Sequence, residues 1–239
     1  MVVEKVIVVA LAQGDVGPVD VGRLLDRAGA LDPDRYPSVS MQVEDADATD
    51  RWEWRRPPTA WRPLVTVAAW TDCADDVVDL AAVVADVTVR WAGYVVTEAV
   101  PRRGDRIEVP VGSARPGLTV TSMLKRAGSL DRDAFLRHWY EVHMPMSLRI
   151  HPQHTYVRNV VSRVLTPDAP SIDAICEEGL ATVDDLLDPA RFFGADPDEP
   201  DWTRSRALIG ADVPQFLDPD GTLTSLMNEY PVRNAPFGG

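Results

Sequence analysis

Apolar and polar positions along this chain follow two periods, near two residues and near 3.6, and the changes between them mark out its elements. Val2 to Ala12 is a β-branched run ended by Gly14, which predicts a buried strand. Asp20 then stands as an N-cap before Val21, Leu24, Leu25 and Ala28, which recur at helical spacing. Pro37 to Val43 alternates Val39, Met41 and Val43 with polar neighbours, as a half-buried strand does. Leu64 to Trp70 predicts a third strand. Asp75 to Ala85 predicts a helix buried through Val77, Val78, Leu80, Ala81 and Val84, and Trp91 to Val100 a fourth strand. The order over residues 1–101 is β-α-β-β-α-β, that of a ferredoxin-like module.

Between the second and third strands, Glu44 to Arg62 is acidic and then rich in tryptophan, with Trp52, Trp54 and Trp61 around Arg55-Arg56-Pro57-Pro58. The prolines predict a loop, whose aromatic rings either plug one end of a sheet or wall a pocket or a subunit contact. Residues 102–117, rich in Arg, Gly and Pro and without an apolar period, read as a linker.

The element order then begins again. Leu118 to Leu124 predicts a strand, Asp131 to His143 a helix, Thr155 to Leu165 and Ile172 to Leu180 strands, and Thr182 to Phe193 a helix. Gly194 to Thr222 carries four prolines and reads as loop with one helix, Arg204 to Gln215, before a last strand from Thr222 to Tyr230. The predicted fold is therefore α+β, with two tandem ferredoxin-like βαββαβ modules at 1–101 and 118–232 and a tail at 233–239. Stacking their open sheet faces would bury both, giving a pseudo-symmetric barrel within one chain.

Composition narrows the function classes. Apolar residues make up 45% and charged residues 26% of 239 positions, as in an ordinary globular protein. The net charge of -13, with only short basic runs, argues against a nucleic-acid partner. No stretch approaches the ~20 apolar residues of a membrane span. Cys73 and Cys176 are too few and too far apart for a disulfide framework or a Cys-x-x-Cys site, so free thiols and a cytoplasmic location are expected.

The chemistry gathers between Met123 and Tyr156, where all four histidines lie. Asp131 is placed to cap the central helix, whose apolar arc holds Phe135, Leu136, Trp139, Val142 and, at its edge, His143. Pro145 predicts that this helix ends after His143, in a last turn where carbonyl ends favour an imidazolium and suit it to proton transfer. The plainer alternative is a satisfied core histidine. His138 is predicted to be solvated, and His151 and His154 to lie in a loop. Tyr156, opening the next strand, is placed to donate a hydrogen bond to a carbonyl, and Arg126, ending the strand before the helix, to hold an enolate or carboxylate. Their plainer readings are a buried tyrosine with a backbone partner and a solvated arginine. Met146, just past the proline, joins Trp139 and Arg126 as a candidate substrate contact.

The segment Lys125-Arg126-Ala127-Gly128-Ser129, the helix with Phe135, and Trp139-Tyr140-Glu141-Val142-His143-Met144-Pro145 resemble the EthD family of the dimeric α/β-barrel superfamily. Ile172 to Glu178, Phe216 to Asp220 and Asn228-Glu229-Tyr230 agree with it in order, so the resemblance covers roughly residues 118–232. The first half lacks the Trp-x-x-x-His pair. The resemblance implies a dimeric α/β-barrel fold, here in one chain. It also implies cofactor-independent chemistry on a small aromatic or polyketide-like compound: dehydration, decarboxylation, cyclisation or oxygenation. Trp139 would wall the pocket and His143 would be the acid/base. The leading expectation is a lyase-type enzyme, with His143 and Tyr156 catalytic and no cofactor. A cofactor-independent monooxygenase and a non-catalytic small-molecule carrier are the alternatives, and a homodimer is open. Neither a Gly-x-Gly-x-x-Gly nor a P-loop occurs. His143, His151 and His154 leave a metal or haem as lesser possibilities, although the spacing matches no helical ligand pair, and no metal ligand is assigned.

Overall fold

Eight antiparallel strands close into a barrel in the order β1-β3-β2-β8-β5-β7-β6-β4. The computed structural model describes residues 4–14, 16–52, 61–75, 77–87, 90–104 and 108–234. The first half contributes β1 (Glu4–Ala12), α1 (Val21–Gly29), β2 (Ser38–Glu44), α2 (Ala46–Arg51), β3 (Arg62–Thr71), α3 (Val78–Val84) and β4 (Arg90–Arg102). The second contributes β5 (Leu118–Leu124), α4 (Arg132–His138), a π-helical turn (Trp139–His143), α5 (Met144–Ile150), β6 (Gln153–Val164) and β7 (Ala174–Leu180). It ends with α6 (Asp184–Leu187), α7 (Pro189–Phe192), α8 (Trp202–Phe216) and β8 (Leu223–Asn234). This is a mixed α/β fold around a closed barrel. The first four strands run β4-β1-β3-β2 and the last four β8-β5-β7-β6, the same order twice. The ladders β2–β8 and β4–β6 join the halves.

Alternation along the strands sorts side chains between two sides. On β1, Val6, Val8 and Ala10 face outward against Leu24 and Ala28 of α1 and Leu80, Val83 and Val84 of α3. Ile7, Val9 and Leu11 face the lumen, where they meet Ala68, Tyr94, Val96, Met123, Val161 and Ile175. Burial on both faces explains why β1 reads as an unbroken β-branched run. Lys5 belongs to the lumen set by the same parity. Its Nζ donates to Glu98 Oε2 at 2.5 Å and Asn159 Oδ1 at 2.9 Å, so first-half and second-half side chains meet inside the barrel.

Several local expectations are corrected. Residues 46–51 form α2, capped by the Asp45 side chain on the Ala48 N–H, where a loop was expected. Trp52 packs on the helix-covered side of the second half and Trp61 on the lumen cluster, while Trp54 and residues 55–58 lie outside the described residues. The expected helix 182–193 is two single turns separated at Asp188, whose extended backbone precedes Pro189. The largest correction concerns Pro145, which does not stop the central helix. The π turn bonds the Met144 N–H to the Trp139 carbonyl, and α5 continues to Ile150. Pro145 has no N–H for the Glu141 carbonyl, and the widened turn accommodates that missing bond. Among the described residues no helix is long and apolar enough to cross a membrane.

Candidate functional site

The segment 132–150 lies over the outer face of β6 and β7, with Asp131 capping its start through Ala134 N–H. Phe135 and Trp139 fill the space beneath, against Tyr156, Cys176 and Phe216. On a regular α-helix residues five apart stand about 140° apart around the axis. The extra residue in the π turn reduces that offset between His138 and His143, and both reach one carboxylate. His138 Nε2 lies 2.7 Å from Asp212 Oδ1, and His143 Nδ1 lies 2.8 Å from Asp212 Oδ2. His138 is therefore bound and not simply solvated, a correction that follows from the π turn. Both imidazoles also lie over Phe216, at 5.1 and 4.7 Å between centroids.

Asp212 comes from α8, so the site joins elements distant in sequence. Burial pushes its carboxyl up, but the hydrogen bonds from His143 and His138 outweigh that and hold it below the ordinary carboxylate range. With Nδ1–H donated to Asp212, His143 keeps Nε2 as its free basic nitrogen. The side chain is 12% exposed, so it is shielded yet reachable. Glu178, on β7 beside Tyr156, is half-buried. Burial raises its carboxyl, while the charge of His143 and hydrogen bonds from Gln153 and Ser147 act the other way. His143 thus lies close enough to Glu178 for its charge to be felt there.

The remaining candidates are placed as follows. Tyr156 and Trp139 are both 0% exposed, and the Trp139 indole N–H donates to the Tyr156 hydroxyl at 2.9 Å. Burial foremost, with Cys176 and Glu178 adding, holds the Tyr156 phenol well above its ordinary range. Arg126 is tied to Asp173, its Nη1 donating to Oδ1 at 2.9 Å, and its Nε donates to the Leu130 carbonyl. Met146 packs in a different cluster, with Ile150, Phe192 and Trp202. His151 is buried, not in an open loop: its Nδ1 donates to the Phe192 carbonyl and its ring stacks on Phe192 at 4.0 Å. Burial holds it down at about 4. His154 lies on β6, with its Nδ1 buried and without a partner among the described residues. Among the described residues no group of three or more His, Cys, Asp or Glu side chains is placed to hold a metal ion.

Sequence reasoning missed Asp212 and gave Glu178 no role. One signal for Asp212 was available: an aspartate inside a helix, four residues before Phe216, is costly unless something binds it.

An anthrone oxidase-like protein superposes with a TM-score of 0.60 at 11% identity, over 97% of this chain and 94% of that one. A candidate chlorite dismutase (TM-score 0.48, 11% identity, 96% and 95% covered) and a candidate monooxygenase from Lactobacillus acidophilus NCFM (0.45, 9%, 99% and 96%) are more distant. The anthrone oxidase-like protein establishes the likeness of fold. Among curated proteins, no sequence matches the chain. The EthD domain model matches residues 127–220, a span that holds the π turn, His143 and Asp212, and the second half of this chain therefore carries an EthD domain.

Proposed function

We propose that the protein is a cofactor-independent lyase-type enzyme in which His143 removes a proton α to the carbonyl of a small aromatic or polyketide-like compound. The observation that carries this reading is the Nδ1 bond to Asp212, which orients the ring, stabilises the imidazolium and leaves Nε2 to take the proton. Glu178, whose carboxyl burial raises and the charge of His143 lowers, is a second group for returning it. Loss of water, the imidazolium returning its proton to the departing hydroxyl, or ring closure onto a second carbonyl follows from the carbanion, according to the substrate; in a decarboxylation carbon dioxide leaves first, and a protonated His143 gives its proton to the enolate that remains. The repeated strand order supports two ferredoxin-like modules, at 1–101 and 118–232, joined by 102–117. It makes one chain sufficient for the barrel, although a homodimer of whole chains fits equally well. A cytoplasmic location goes with this reading.

The fold shared with an anthrone oxidase-like protein favours a second reading, oxygenation of an anion formed by the same proton removal. One experiment addresses both. Anthrone and small aromatic ketones are incubated with the protein in deuterated buffer, with and without air, while deuterium at C10 of anthrone or at the α-carbon of the ketones and dissolved oxygen are followed. Exchange or turnover that His143→Gln abolishes, without oxygen uptake, supports the lyase reading. Oxygen uptake tied to turnover replaces it with the second, and exchange that survives His143→Gln removes both.

A further inference from the structure

Beneath the same helix, β6 presents a cation with two nitrogens that have no acceptor among the described residues. Arg158 points from the helix-facing side of β6, two residues beyond Tyr156, and lays its guanidinium over the Tyr140 ring at 3.8 Å and 5.9 Å from the Trp139 ring. Its Nε and Nη1 atoms are buried and have no hydrogen-bond partner among the described residues, while the residue as a whole is only half-buried. The side chain is therefore partly open to solvent and not wholly sealed in the core.

Neighbouring arginines differ in this respect. Arg132 donates to the Val161 carbonyl, Arg102 to the Leu148 and Gln153 carbonyls, and Arg126 to Asp173. Across the ladder Arg158 faces Cys176, a thiol that burial keeps protonated, and Glu178, the next side chain on that face of β7, forms no ion pair with it. A desolvated guanidinium with two nitrogens unbonded is costly to maintain, and an anionic ligand would remove that cost. The planar fork matches two oxygens on one carbon. Beside it, Tyr140, Met144, Leu148 and Val160 are partly buried on the apolar cluster under the helix and offer no further charge.

We propose that Arg158 and Tyr140 form an anion-recognition site between β6 and the 132–150 helix, which takes the carboxylate or phenolate of a ligand with an apolar aromatic body. The site concerns binding alone and stands apart from the acid/base role of His143.

The test is calorimetric titration of the whole protein with 2-naphthoate, with 2-naphtholate at high pH, and with neutral 2-naphthamide. The naphthoate is expected to bind at least about tenfold more tightly than the amide. Arg158→Gln should level the two, and Arg158→Lys, which keeps the charge and loses the fork, should retain part of the preference. A preference for naphtholate over naphthoate would assign the site to phenolates. Equal affinity for naphthoate and naphthamide in the unmodified protein, binding of none of the three, or a preference that survives Arg158→Gln would overturn the proposal. The comparison of ligands on the unmodified protein needs no variant to fold.

Discussion

His143 Nδ1 stands 2.8 Å from Asp212 Oδ2, a contact spanning 69 positions of chain and linking the π turn to α8. Asp212→Asn keeps the shape of that contact but removes the charge and allows the other tautomer. Turnover in the assay described above is expected to fall by about 10²- to 10⁴-fold, with ligand affinity little changed. The same carboxyl sits below its ordinary range, so its stabilisation is complete above about pH 4 and is lost as pH falls through its lower folded value. Acid unfolding followed by fluorescence should show that component in the unmodified protein and not in Asp212→Asn.

Much of this arrangement was legible in the sequence, because strand parity and helix caps are local. The eight strands follow from apolar periods alone, and Asp20 and Asp131 mark helix starts that the structure bears out. What failed did so where one local rule met a tertiary compensation. Pro145 is a helix breaker by itself, but a π turn stabilised by the packing of Phe135 and Trp139 lets the helix pass. That same turn changes the azimuth of His143, so the pairing of His138 and His143 on Asp212 could not be read from a 3.6 period. Asp212 lies in a helix whose partner is not written nearby.

His151 offers a pH signature separate from the candidate site. Burial holds it at about 4, whereas the unfolded imidazole titrates near about 6.5. Between those values the unfolded chain binds a proton that the folded chain refuses, so stability is complete above about pH 6.5 and falls toward pH 4. The loss is on the order of 3 kcal/mol. His151→Gln keeps a donor for the Phe192 carbonyl and removes the titration. Urea midpoints at pH 7 and pH 4.5 should therefore move less in the variant, and equal movement would assign the effect elsewhere.

Tyr156→Phe removes the acceptor that the Trp139 indole N–H has among the described residues, inside a buried apolar cluster. An unmet buried donor costs about 1–3 kcal/mol, and denaturant unfolding should show a loss in that range. If Tyr156 serves only to seat Trp139, turnover per folded molecule changes by less than about tenfold. A larger loss at unchanged stability would make Tyr156 a reacting group.

The lumen predicts how the two halves unfold. Lys5 joins Glu98 and Asn159, and Asn159 Nδ2 donates at 2.8 Å to Glu177, which Gln42 Nε2 also reaches at 3.0 Å. These residues come from β1, β2, β4, β6 and β7, so the network crosses both seams of the barrel. Lys5→Met leaves Glu98, whose side chain is 30% exposed, without its cation, and because water reaches that carboxylate the loss is about 1–3 kcal/mol. Adding Glu98→Gln removes one of the two carboxylates that lose the Lys5 charge, Glu177 being the other, and should restore part of that loss. Scanning calorimetry of the unmodified protein should show one transition, with calorimetric and van't Hoff enthalpies equal. In Lys5→Met the single transition should move to lower temperature and stay single, since the β2–β8 and β4–β6 ladders still bind the halves together. Two separate transitions in the variant would mean that the ion network, and not the strand ladders, makes the barrel one cooperative unit.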